Sequence, residues 1–329
     1  METRPGPGSA LTPLRTRWEG GEPVLQCCDL RDLVFTDPLF YESYLRLRRS
    51  GPEPELVEIE LAALREAAAG EPSLPPAGFI FHMSRCGSTL VSRLLATSDR
   101  LLVLGEPDPL VGLLAPPAPV AEEKLVQCLR DLVYLLGRPR RASEEHLVIK
   151  FSSILVTRLP LFRKAFPETP WLFVFREPGE VMVSVLDSPP GFLRMKSRPE
   201  FAARWIEMAP EALAAMTDED YAARCLGHMM GCALAGAEHA GPGRCLMLDY
   251  RNLPEAVWTS VADLFGISWT PEEKARLREQ SSIDSKDRDG RRPFEPDSAA
   301  KADRMTAQIR AAASRWATGP YERLRDFEP

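Results

Sequence analysis

Five short apolar runs recur along the chain: GFIFHM (78–83), LLVLG (101–105), HLVIKF (146–151), WLFVF (171–175) and CLMLDY (245–250), with helical stretches between them. Runs this uniformly apolar fit strands buried on both faces, not the in–out alternation of a half-solvated sheet. Strands alternating with helices specify parallel βαβ units, hence a three-layer α/β/α fold with a central parallel sheet of about five strands. A chain of 329 residues that is 44% hydrophobic can bury the core such a fold needs.

The remaining sequence divides around this pattern. Residues 1–22 are rich in Pro, Gly and Arg and are expected to form a mobile tail. Residues 23–77 are expected to form a helical segment packing on the core, from LRDLVFTDPLFYESYLRLRR and from ELVEIELAALREAAAG with Gly70 as its stop. Residues 78–329 then make one α/β domain. Pro178 sits where the first turn of a helix should follow WLFVFRE, a place where its missing N–H costs nothing. Thr270-Pro271-Glu272-Glu273 has the N-cap and third-position glutamate of a capping box.

A net charge of -6 excludes the basic surplus of a general nucleic-acid binder. Seven cysteines, an odd number without CxxC spacing, do not read as a disulfide framework. His82, His146, His228 and His239 are scattered without metal-ligand spacing. No apolar run approaches the ~20 residues a membrane span needs. The expectation is a reduced, cytoplasmic, soluble protein without a structural metal. Oligomeric state is not readable.

The stretch FIFHMSRCGSTLVSR (79–93) carries the most chemistry. A strand, a tight turn at Gly87 and a helix opening at Ser88-Thr89 would present successive backbone N–H groups to an anion, with the helix dipole assisting. The fold is therefore P-loop or nucleotide-kinase-like. Yet the Walker pattern GxxxxGK[ST] is not met: His82 stands at its first glycine and Ser88 at its lysine. The cation moves to Arg85. The third strand ends at Lys150, where a kinase would place an acidic Mg²⁺ ligand. An anionic nucleotide handled without metal would need fixed cations such as Arg85 and Lys150.

These features together resemble the sulfotransferase family, which transfers a sulfuryl group from 3′-phosphoadenosine 5′-phosphosulfate (PAPS). Its phosphosulfate loop, K/R-S-G-T-T, is matched by Arg85-Cys86-Gly87-Ser88-Thr89, with Cys86 departing from the usual serine. Its 3′-phosphate motif, an arginine at a strand end and a serine eight residues on, is matched by FREPGEVMVS with Arg176, Pro178 and Ser184. A late strand followed by Y-x-x-L is matched at Tyr250 in LMLDYRNLPEAVWTSVADLFGIS. The family's closing basic segment has its counterpart in SSIDSKDRDGRRPFEPD, with Lys286, Arg288, Arg291 and Arg292, although the K-x-x-G-x-x-G-D-W ending is absent. The match spans roughly residues 78–300. It implies a metal-independent enzyme whose co-substrate is PAPS.

The resemblance also implies a base. Glu106, just past the second strand, matches the glutamate of the carbohydrate-sulfating branch; His82 is its competitor and Asp108 a third candidate. Arg85 would stabilise the leaving phosphate, helped by Ser88, Thr89 and Lys150. An acceptor hydroxyl or amine on a small molecule, sugar or peptide would meet aromatic walls, for which Phe40, Tyr41, Tyr44, Phe192, Phe201 and Trp205 are candidates, the same residues being equally suited to fill the core. Two rivals stand beside this reading: an ATP/Mg²⁺-dependent P-loop kinase of a small molecule, and a non-catalytic nucleotide-binding homologue.

Overall fold

The computed structural model describes residues 11–35, 37–284, 292–293 and 297–327. Eight strands occur among them: β1 (Leu11–Glu19), β2 (Glu22–Asp29), β3 (Val57–Glu60), β4 (Pro76–His82), β5 (Leu101–Gly105), β6 (His146–Lys150), β7 (Trp171–Phe175) and β8 (Cys245–Asp249). The last five form the expected central sheet, in the order β5-β6-β4-β7-β8. β5 runs parallel to β6, and β7 parallel to β8. The chain leaves β4 for one side of the sheet and later turns to the other, so strand order reverses at β4. The carboxyl end of such a strand is where open α/β sheets bind ligands.

Residues cluster into two compact units, Met1–Phe79 with Ser92–Ser152 and Pro160–Thr169, and Ile80–Val91 with Ser153–Leu159 and Pro170–Pro329. This division does not follow the boundary expected at residue 78, because β4 itself is shared between the units.

In the first unit, three expectations are corrected. From Leu11 onward the anticipated tail is strand β1, paired antiparallel with β2 across Gly20-Gly21. Both glycines have positive φ, 58° and 84°, the geometry a two-residue hairpin turn requires. The anticipated helix over 55–70 begins only at Leu61, because Val57–Glu60 alternates in and out and pairs antiparallel with β2 as β3. Of the helix expected over LRDLVFTDPLFYESYLRLRR only Phe40–Ser50 forms, and Glu22–Asp29, at the start of the anticipated helical segment, is strand β2. Helix Glu122–Leu136 buries Cys128, Leu129, Leu132, Val133, Leu135 and Leu136, one stripe at helical spacing. Phe79, Phe151, Phe162 and Phe166 pack together, with Phe151 and Phe162 ring centroids 4.4 Å apart.

In the second unit, the all-apolar strand β7 is buried throughout, with Trp171, Phe173 and Phe175 at its core. Each fully buried side chain of this kind contributes about 1.5–3 kcal/mol of transfer free energy. The long helix Asp218–Glu238 is capped by the Thr217 hydroxyl and buries Tyr221, Cys225, Met229, Ala233 and their neighbours. Both boundary signals hold: Pro178 opens the helix Pro178–Asp187, and Thr270 and Glu273 form the capping box of Pro271–Ser281. All seven cysteines are free thiols, six of them buried. Among the described residues no helix is long and apolar enough to cross a membrane.

Candidate active site

The loop after β4 has the shape its sequence implies. Ser84, Arg85 and Gly87 take positive φ of 75°, 50° and 89° before helix Ser88–Leu95 begins. Left-handed residues in such a turn can aim backbone N–H groups into one concavity, a nest for an anion, although the Ser84 N–H itself is held by His82. For Ser84 and Arg85 this backbone costs on the order of 1 kcal/mol each, and such strain persists mainly at functional loops. Gly87 is obligatory for a second reason: a Cβ there would lie 2.7 Å from Leu253 Cδ1 and 2.8 Å from Tyr250 Cδ2.

The side chains of the loop divide into scaffold and reagent. Nδ1 of buried His82 accepts a hydrogen bond from the Ser84 N–H at 3.0 Å, so this imidazole stitches the loop together. Sγ of Cys86 donates to the Val174 carbonyl at 3.1 Å; its side chain faces β7, and only its backbone is offered to a ligand. Arg85 reaches Ser188, with Nη2 donating to the carbonyl at 3.0 Å and to Oγ at 3.2 Å. Its Nε is buried and has no hydrogen-bond partner among the described residues. An orphaned guanidinium donor beside a nest of N–H groups suits a phosphate or sulfate oxygen.

Arg176 follows β7 and is only 4% exposed. Its guanidinium lies 4.0 Å from the centre of the Tyr250 ring. Nε donates to Glu180 Oε2 at 2.7 Å, and Nη2 donates to Asp297 Oδ1 at 2.7 Å and Ser298 Oγ at 3.0 Å. Burial disfavours its charge, but the hydrogen bond it donates to Asp297 and the charges of Asp297 and Glu180 outweigh this and push its pKa up. Ser184, one turn after Glu180, donates to the Glu180 carbonyl at 3.4 Å. Arg176, Ser184, Tyr250 and the β4 loop all lie in the second unit. Asp297, Ser298 and Lys301 were not singled out from sequence. They come to Arg176 through a contact spanning 121 residues, which no local pattern announces.

In the first unit, Glu106 and Lys150 form a second cluster. Glu106 leaves β5 with φ 52°, and its N–H donates to the Lys150 carbonyl at 2.6 Å. Lys150, the last residue of β6, is 0% exposed, and its Nζ donates to Glu106 Oε1 at 2.7 Å. Ser152 Oγ lies 3.3 Å from Glu106 Oε2. The parallel register setting Gly105 opposite Lys150 makes this pairing possible.

Asp108 opens the short helix Asp108–Leu113. Burial raises its pKa, Glu106 adds to the rise, and Arg15 opposes it. A carboxyl whose folded pKa is raised takes up protons more readily folded than unfolded, so its stability contribution worsens as pH rises from the ordinary carboxylate value through the folded one. Asp108→Asn is therefore expected to raise the melting temperature at pH 7 by about 1–3 °C. The gain should shrink at pH 4.5, as thermal unfolding at the two pH values will show.

The aromatic candidates fare unevenly. Phe40, Tyr44, Phe192 and Trp205 are core residues, each at most 3% exposed, which favours core filling over an acceptor wall. Tyr41 and Phe201 stay half-buried, and the Tyr41 hydroxyl accepts from Arg15 Nη2 at 3.1 Å. Lys286, Arg288 and Arg291 lie outside the described residues. Arg292 is exposed and ion-pairs with Asp284 at 2.5 Å.

No protein-family model matches the chain, and no curated protein does. The solved structures it is similar to include sulfotransferases and a retinol dehydratase. A sulfotransferase domain from the curacin biosynthetic pathway is 15% identical, with 74% of this chain and 98% of that one covered at a TM-score of 0.44. A sulfotransferase from Alicyclobacillus acidocaldarius is 12% identical, covering 76% and 99% at 0.42. A mouse sulfotransferase complexed with PAP is 9% identical, covering 78% and 91% at 0.43.

Proposed function

We propose that this chain is a sulfotransferase that takes a sulfuryl group from PAPS to a hydroxyl or amine of a small molecule, sugar or peptide, without a metal ion. The observation that carries the reading lies in the second unit. Arg85, with its orphaned Nε beside a nest of N–H groups, and Arg176, desolvated under Tyr250, follow the carboxyl ends of two strands joined by the Met83 N–H to Val174 carbonyl bond. One donor would need both: an anion at the helix mouth and a second phosphate at the strand-end arginine.

The donor supplies an activated sulfuryl group. The S–O bond to its phosphate breaks as a new S–O or S–N bond to the acceptor forms, and the acceptor's proton goes to a base on the protein. Arg85, Ser88 and Thr89 with the loop N–H groups would hold the 5′ side and stabilise charge on the departing phosphate. Arg176 and Ser184 would hold the 3′-phosphate, with the Tyr250 ring flanking Arg176. Lys150, at the end of β6, is proposed as an auxiliary cation of the reaction. Glu106 is the proposed base: its oxygens already accept from Lys150 and Ser152, but a carboxylate oxygen has a second lone pair for a proton, whereas the single lone pair of His82 Nδ1 is engaged with the Ser84 N–H.

Calorimetry and thermal unfolding with 3′,5′-adenosine bisphosphate test the donor class. Wild type is expected to bind and to gain melting temperature. Arg176→Ala is expected to weaken binding about 30-fold, the equivalent of about 2 kcal/mol for a lost charge-assisted contact. Stabilisation by ATP with Mg²⁺ alone would overturn the reading in favour of a kinase. Bisphosphate binding with no transfer to any acceptor would favour the non-catalytic homologue.

A further inference from the structure

We infer that Asp297 is a resident competitor for the 3′-phosphate, occupying with its own carboxylate a site whose second cation is Lys301. The inference rests on the reading of Arg176 as a phosphate ligand and adds two residues that neither motif contains.

The geometry is that of an anion held between cations. Asp297 Oδ1 accepts from Arg176 Nη2 at 2.7 Å, and Oδ2 accepts from Lys301 Nζ at 2.7 Å. Ser298 completes the cradle: its hydroxyl accepts from Arg176 at 3.0 Å and donates to Glu180 Oε2 at 2.9 Å. Both cations are desolvated, Arg176 to 4% and Lys301 to 9% exposure. Burying two positive charges side by side is costly unless anions accompany them. Two carboxylates do, but they are not equivalent. The Glu180 side chain is 18% exposed and lies one helical turn from Arg176, whereas that of Asp297 is 48% exposed. Asp297, already half in water, is the partner open to exchange with an external anion.

Electrostatics agrees with the geometry. Burial would raise the Asp297 pKa, yet the hydrogen bonds from Lys301 and Arg176 with their charges hold it below its ordinary value. Lys301 feels burial most, which lowers its pKa against the pull of Asp297. A phosphate brings about −1.5 to −2 charges and three oxygens to a place where the carboxylate brings one charge and two oxygens. It can therefore displace Asp297 from both cations, but its apparent affinity is reduced by the fraction of molecules in which Asp297 already fills the site.

Isothermal calorimetry with 3′,5′-adenosine bisphosphate, and with 5′-AMP as the ligand lacking the 3′-phosphate, tests this. Asp297→Asn should tighten the bisphosphate on the order of tenfold and leave 5′-AMP unchanged. Asp297→Ser should act in the same direction, which guards against a local effect of the amide. In the Asp297→Asn background, adding Lys301→Met should weaken the bisphosphate about tenfold, again without effect on 5′-AMP. Unchanged or weaker bisphosphate binding in both Asp297 variants, with Arg176→Ala still impaired, would overturn this inference alone. Failure of wild type to bind the bisphosphate at all would overturn it together with the nucleotide reading on which it rests.

Discussion

Glu106→Ala is expected to destabilise the fold by about 3 kcal/mol, more than an ordinary surface glutamate by several-fold. The reason is its partner. Lys150 is wholly buried at the end of β6 and donates to Glu106 at 2.7 Å. Truncating one member of a buried pair leaves an uncompensated charge, at a cost of about 3–5 kcal/mol. The lower end applies because the Glu106 side chain retains 27% exposure, so water can reach its side of the pair. Glu106→Gln keeps the shape and an acceptor for Nζ, and should cost less. Glu106→Gln with Lys150→Met removes both charges and should recover most of the loss. Urea unfolding of the four proteins measures all of this; a midpoint for Glu106→Ala equal to wild type would sink the account of the pair. The same series separates stability from chemistry. If Glu106 is the base, Glu106→Gln loses transfer while its affinity for 3′,5′-adenosine bisphosphate stays at the wild-type value. A shared fall in both would identify Glu106 as a residue that only holds Lys150.

What the sequence disclosed follows from where its signals are local. The five central strands announced themselves because strands buried on both faces must be continuously apolar, and WLFVF or HLVIK has few other uses. Pro178 and Thr270 marked helix starts through contacts within three residues. The β1–β2 hairpin was equally local but was masked by composition. Arg15, Arg17 and Glu19 point outward between Thr16 and Trp18, a clean period of two, and Gly20-Gly21 is a strong turn signal. Prolines and arginines nearby led to its reading as a tail. VEIE failed for a different reason: four alternating residues directly joined to a helical pattern are absorbed into that pattern unless a pairing partner is known. In the candidate site, the loop and Arg176 were legible because each motif is contiguous. Nothing contiguous connects Arg176 to Asp297 and Lys301, nor shows that His82 and Cys86 turn their side chains into the scaffold. Side-chain direction at a loop is decided by which neighbours fill the space, and that is a tertiary fact.

Gly87→Ala tests the loop itself and should lower stability by about 2–4 kcal/mol while weakening 3′,5′-adenosine bisphosphate on the order of 100-fold. Two costs add. A φ of 89° is a backbone conformation in which an alanine Cβ meets its own chain, at about 1–2 kcal/mol. The new methyl would also lie 2.7 Å from Leu253 Cδ1, 2.8 Å from Tyr250 Cδ2 and 3.2 Å from Tyr250 Cε2, well inside contact distance. Leu253 ends in a flexible side chain and can give. Tyr250 is less free, because the Arg176 guanidinium lies 4.0 Å from its ring centre, and moving the ring sacrifices a cation–π contact. The strain therefore falls on the loop, whose N–H groups rotate out of their common concavity, and on Arg176, through the ring they share. Loss of affinity should consequently extend to both phosphates of the ligand. Binding of 5′-AMP and of the bisphosphate should weaken in Gly87→Ala, whereas Arg176→Ala should affect the bisphosphate far more than 5′-AMP. Combining Gly87→Ala with Leu253→Ala should return part of the stability, the share owed to the clash, and leave the backbone share in place. A Gly87→Ala protein with wild-type melting temperature and wild-type affinity would mean that the left-handed turn does not shape the anion site.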